Sequence, residues 1–178
     1  WLTSLPTAVK DKRPSLWLTS ATTALITGQT AGVEEWLDSA ETLHMWTQIV
    51  GKVRTALTPW VNHSWHATFY PTPRGLTTSL VPDGDGGIEV RFDFVDHTVQ
   101  GRCGNGKTES FPLAPMSVAD FHARFTAMVE HLGGNATFHG RPNELPDPVP
   151  FIEDSASRPY AADAVARFHR ALVSVNHV

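Results

Sequence analysis

Along residues 33–57, apolar side chains recur seven apart at Trp36, Leu43, Val50 and Leu57, with Trp46 and Val53 between them. That spacing is the signature of an α-helix. Met45 and Ile49 widen the stripe until the middle of the segment is apolar almost all round, which predicts a central, largely buried helix. Pro59 is its stop signal. After it the period changes to two. From Asn62 to Tyr70 one parity carries His63, Trp65, Ala67 and Phe69, and the other carries Asn62, Ser64, His66, Thr68 and Tyr70. This alternation predicts a half-buried strand.

Pro71, Pro73 and Gly75 turn the chain into a second strand, Leu76 to Val81, and the Gly/Asp run at 83–87 is a loop. Ile88, Val90, Phe92 and Phe94 then alternate with Glu89, Arg91 and Asp93, the clearest strand in the chain. Asp96-His97 turns it into Thr98 to Cys103, and Gly104-Asn105-Gly106 marks a hairpin into Lys107 to Leu113. A run of hairpins favours antiparallel pairing.

Ser117 with Asp120 resembles a capping box with Asp in place of Glu. The helix it opens presents Val118, Phe121, Phe125, Met128 and Leu132, and Gly133 ends it. Asn135 to His139 is a further strand candidate. Pro142, Pro146, Pro148 and Pro150 force an extended passage, and a last helix from about Pro159 places Ala161, Val165, Phe168, Leu172 and Val175 on one face. The expected fold is α+β: a mostly antiparallel meander of about five or six strands packed against a long buried N-terminal helix and two further helices. Residues 1–31, rich in Ser and Thr and broken by Pro6 and Pro14, form an arm; residues 32–178 form a single domain.

Composition narrows the functional classes. With 41% apolar and 18% charged residues the chain is of globular type. A net charge of −4 with scattered basic residues argues against nucleic acid. The single cysteine, Cys103, excludes an intrachain disulfide and fits a reducing compartment, so a cytoplasmic location is expected. No apolar run reaches membrane-helix length and no signal-peptide layout opens the chain, so no membrane association is expected. The start at Trp1 suggests a processed, trimmed or partial chain.

Several blocks, in order, resemble an uncharacterised bacterial family, a domain of unknown function. They are the stretch Thr42 to Arg54 (TLHMWTQIVGKVR), Asn62-His63-Ser64-Trp65-His66, and Arg74-Gly75-Leu76-Thr77-Thr78. Phe92 to His97 (FDFVDH), Ser117 to Phe121 (SVADF), Pro146 to Phe151 (PDPVPF) and Arg167-Phe168 follow. The resemblance covers about residues 33–175 and implies a shared fold. It brings no activity. It also implies that family members continue past this endpoint into an aromatic-rich segment with His and Asp, so that a site shared with that segment is incomplete in this chain.

Candidate chemistry begins on the apolar helix. Glu41, His44, Gln48 and Lys52, spaced by three, four and four, share one face that Thr55 extends, while Gly51 leaves room for close approach. If that face looks into a pocket, His44 is a candidate general base and Lys52 an anion holder; the plainer alternative is the helix's solvent side. On the expected sheet, His66 as a catalytic candidate and Asn62, Tyr70, Arg74, Thr77 and Arg91 as ligand-binding candidates make up a polar face for a small polar or anionic molecule, against the alternative of an ordinary wet sheet face. Asp96 and His97 are candidates for an acid/base pair, although such dipeptides are also ordinary turn chemistry. His63 and His66 invite a metal, but on a strand their spacing sends them to opposite faces, so no metal site and no cofactor are expected. His122, His131, His139, His169 and His177 look like surface positions.

Two functions follow. One is a small-molecule-binding domain, with or without catalysis, that has a polar pocket between helix and sheet. The other is a non-catalytic assembly module that pairs with another copy or another protein through the arm, whose sticky residues include Trp1, Leu2, Trp17 and Leu18.

Overall fold

The structure, a computed structural model, describes residues 31–84 and 86–176. The arm expected at 1–31 and His177 therefore lie outside the described residues, save for Ala31. Helix α1 runs Ala31–Leu57, as its periodicity requires. Trp36, Leu43, Met45, Trp46, Ile49, Val50 and Val53 are all buried along it.

The sheet is the expected antiparallel meander: β1 (Tyr70–Thr72), β2 (Gly75–Val81), β3 (Ile88–Asp93), β4 (Thr98–Cys103) and β5 (Thr108–Pro112), in the order β1-β2-β3-β4-β5. A bulge between Thr77 and Leu80 interrupts β2, with Ser79 at φ 53°. The fully buried Thr78 hydroxyl repairs the ladder there, accepting the Val90 N–H at 3.0 Å and donating to the Ser79 carbonyl at 2.7 Å. Two short strands, β6 (Met116–Ser117) and β7 (Ser157–Arg158), pair antiparallel beside the meander.

Helix α2 (Val118–His131) opens on Ser117, whose Oγ accepts the Asp120 N–H at 2.9 Å. Asp120 answers through its side chain rather than in the usual reciprocal way: its carboxylate accepts the Ser117 hydroxyl at 2.7 Å. The α2 face lies on the inner side of the sheet, with Phe121 stacked between Phe92 and Trp46 at 6.2 and 4.9 Å. Gly101 on β4 makes this approach possible: a Cβ there would stand 2.6 Å from Leu132 Cδ1 and 3.1 Å from Met128. Helix α3 (Ala162–Val175) packs on α1, Phe168 stacking on Trp36 at 4.4 Å.

Several sequence expectations fail in whole or in part. The alternating segment Asn62–Ala67 is a 3-10 turn, with His63 and Ser64 at φ 59° and 57°, and the strand is confined to Tyr70–Thr72. The alternation was a coincidence of composition; the segment holds no β-branched residue from Asn62 to Ala67 to support a pleated strand. Residues 135–139 are not a strand either: the Asn135 side chain accepts the Thr137 N–H at 2.8 Å, a local turn that competes with pairing. The expected face of α3 holds at Val165, Ala161 and Phe168, which pack on the core, but the buried side also takes in Ala164 and His169 and leaves Val175 exposed. His169 is thus a core residue and not a surface one, its Nε2 2.9 Å from the Thr72 carbonyl, which ties α3 to β1. His122 is also half-covered, packed between Phe138 and Phe151, and burial pushes its imidazole below the ordinary value.

Candidate functional site

The polar line of α1 becomes the floor of a groove of about 270 Å³. His44, Gln48, Gly51 and Lys52 form the floor, Ala67 and Phe69 one wall, and Asn143 and Glu144 the other. Glu41 and Thr55 remain exposed at its margins. The proline-rich passage supplies the second wall: with proline barred from a helix or a central strand, it crosses the helix as a series of bends rather than the extended run expected, closed by the Phe151 N–H donating to the Gly140 carbonyl at 2.9 Å.

Gln48 fixes that passage in place. Its Oε1 accepts the Asn143 N–H at 2.7 Å and its Nε2 donates to the Asn143 carbonyl at 3.2 Å. Lys52 Nζ donates to Asn143 Oδ1 at 3.1 Å. The backbone contacts dictate the orientation of the Gln48 amide, so the second Nε2 hydrogen faces His44 Nε2, 2.9 Å away. His44 therefore accepts at Nε2, which requires the neutral imidazole with its proton on Nδ1. Burial acts in the same direction, pushing the His44 imidazole below its ordinary value against the opposing pull of the Glu144 and Glu41 carboxylates. Partial burial likewise lowers the Lys52 ammonium. Glu144 holds a left-handed backbone, φ 61°, at the rim of the groove.

The second polar region is the outer face of the sheet, a trough of about 380 Å³ that includes Arg74, Arg91, Asp93, Asp96, Gln100 and Arg102. Here the register sets Arg91 beside Thr77 and Gln100, and Glu89 beside Arg102. Arg74 grips Asp93 through Nε and Nη2 at 2.6 and 3.2 Å and also reaches Asp96 at 2.6 Å. Asp93 in turn accepts the Val95 and Asp96 N–H groups, each at 2.9 Å, and so builds the β3–β4 turn. Burial alone would push its carboxyl up, but Arg74 and those two N–H groups outweigh burial and hold it below the ordinary value. Glu89 follows the same logic: desolvation raises it, and hydrogen bonds from Arg91 and Thr77, both at 2.8 Å, bring it down.

The remaining candidates scatter. His66 does not join the sheet face; it is buried in the 3-10 turn, its Nδ1 accepting the Val61 N–H at 3.2 Å. Asn62 is exposed on the same turn. Tyr70 covers Arg54, whose guanidinium carbon lies 5.3 Å from its ring centre. Asp96 and His97 do not meet: Asp96 turns to Arg74, and His97 Nδ1 pairs with the buried Tyr160 hydroxyl at 2.8 Å. Burial drives that phenol well above its usual range. His63 is exposed and His66 buried on a 3-10 turn, so the strand-parity argument made for this pair does not apply. Among the described residues, no group of three or more His, Cys, Asp and Glu side chains is placed to hold a metal ion.

Sequence reasoning missed Asn143 and Glu144, which lie in an aperiodic passage and reach the helix only through tertiary folding. It also missed Arg102 and Gln100, alternate residues on a strand assigned without weighing its outer face.

No curated protein and no solved structure matches the chain. A family profile does, from residue 30 to residue 178, and the chain belongs to that family, DUF5996, a family of unknown function.

Proposed function

We propose that this domain binds a small polar or anionic molecule in the groove over α1, with Lys52 as its cationic anchor. The observation that supports this reading is the convergence of His44, Gln48 and Lys52 on a concave floor walled by Phe69 and the Asn143–Glu144 passage. Solubility alone does not require three polar side chains gathered on one concave floor. Binding is favoured over general-base catalysis at His44, because its Nε2 lone pair is engaged by Gln48. The outer sheet trough is the weaker candidate: most of its charges already neutralise one another.

The direct test is a ligand screen by thermal unfolding, using small carboxylates, sugars, amino acids and phosphates, on the wild type and on Lys52→Met. A compound that raises the unfolding midpoint of the wild type and not of Lys52→Met supports the groove. Equal response in both proteins, or resonance shifts confined to the sheet face, would move the site elsewhere.

A second reading, a protein-interaction or self-assembly module, rests on the exposure of Trp60, Val61 and Trp65, which are 70, 46 and 68% exposed. The arm at 1–31 belongs to that reading. Light scattering on the purified chain decides it: a concentration-independent monomer counts against self-assembly. We further propose a cytoplasmic protein of bacterial type. The described residues contain no helix long and apolar enough to cross a membrane.

A further inference from the structure

Arg54 lies in the last turn of α1 and is only 5% exposed. Among the described residues its Nε and Nη1 are buried without a hydrogen-bond partner, and so is Oγ1 of Thr58, one helical turn further on. No carboxylate among them pairs with this guanidinium. The guanidinium carbon lies over the face of Tyr70, 5.3 Å from the ring centre.

The local sequence explains why. From Thr42 to Pro82 the chain contains no Asp and no Glu, and that stretch builds the C-terminal half of α1, the 3-10 turn, β1 and β2. Arginine does not shed its proton to ease burial. Buried charges in proteins are paired, and buried donors are satisfied. The Tyr70 face attracts the cation but engages none of its in-plane N–H donors. A water molecule would satisfy a donor and leave the charge uncompensated. The 3-10 turn that packs against this end of α1 carries Trp65, and Trp60 and Val61 precede it; all three are exposed, as is the rim of Tyr70.

We propose that Arg54 and Thr58 form a binding site, separate from the α1 groove, for an anionic oxygen group on a small ligand with a flat apolar body. The group is a carboxylate or a phosphate. The guanidinium supplies charge and directed donors, the Thr58 hydroxyl supplies a further donor, and the half-exposed Tyr70 ring offers the apolar surface.

The test uses benzoate, phenyl phosphate and inorganic phosphate at ionic strength matched with sodium chloride. The expected result is a saturable shift of the Arg54 side-chain Nε–H resonance and a raised unfolding midpoint with benzoate or phenyl phosphate. Thr58→Val should weaken the apparent affinity about tenfold, the loss of one hydrogen bond to a charged group. In the Lys52→Met background, which removes the groove's anchor, Arg54→Met should abolish the rise, while Arg124→Gln on the exposed side of α2 should keep it. Stronger binding of phenyl phosphate than of benzoate identifies the phosphate group, and the reverse identifies the carboxylate. An unmoved Arg54 resonance with all three probes overturns the proposal. So does a rise in Lys52→Met that survives the addition of Arg54→Met, or the lack of any rise in Lys52→Met. Should Arg54→Met fail to fold, the resonance titration and Thr58→Val decide alone.

Discussion

The groove over α1 and the outer face of the sheet both contain groups titrating below their ordinary values, but for opposite reasons. On the sheet, Asp93 and Glu89 are lowered because guanidinium, hydroxyl and N–H partners stabilise the charged form more than burial penalises it. In the groove, His44 and Lys52 are lowered because burial penalises the charged form and no partner fully compensates. The first region uses its charges to hold strands and a turn together. The second places groups whose charged form is disfavoured by burial on the floor of a groove, a combination found at ligand sites. The direction of the shift alone does not separate the two regions; its cause does.

The largest expected effect breaks the sheet side of that contrast. Asp93 is buried and holds both Arg74 and two N–H groups of the β3–β4 turn. Asp93→Ala should cost about 3 kcal/mol of unfolding free energy in urea, the scale for stripping one partner from a buried hydrogen-bonded charge. Because its carboxyl is lowered, the Asp93 contribution is complete above pH 3.8 and is lost only as pH falls through the lower folded value. A loss under about 0.5 kcal/mol, the level of an ordinary surface change, would mean that the turn stands without it.

A smaller effect is expected at Gln48, which fastens Asn143 to α1 through two backbone hydrogen bonds. Gln48→Ala should cost about 1–2 kcal/mol and should accelerate amide hydrogen exchange at Asn143 more than anywhere in the sheet. Unchanged protection at Asn143 would show that the proline-rich passage is held by other contacts, and the groove wall would lose its explanation.

How much of this was legible beforehand depended on periodicity. The α1 stripe and the alternation of β3 involve many buried positions in register with one period, so the helix and the meander could be placed from the residues alone. At Asn62–Ala67 the same period appeared by chance in a turn with left-handed residues, and His66 and Asn62 were assigned to a sheet face that does not contain them. His44, Gln48 and Lys52 were visible as a polar line at helical spacing on α1. Their partners, Asn143 and Glu144, come from some 90 residues away, a separation that no local pattern encodes. Arg54 carried a readable signal that went unused: it follows Val50 by four residues, on the flank of a buried stripe, where a charge is out of place.

The most direct test of the account is the pH titration of the His44 imidazole by NMR. Neutral His44, accepting from Gln48 and shielded by burial, should titrate below 6.5. The linked stability has a fixed sign: below pH 6.5 the unfolded chain binds a proton that folded His44 does not, so stability falls with acidification until the lower folded value is passed. A midpoint below 6.5, with Gln48→Glu moving it upward, is the result the account predicts. A midpoint at or above 6.5 in the wild type would contradict it and leave the α1 line as an ordinary solvated face of the helix.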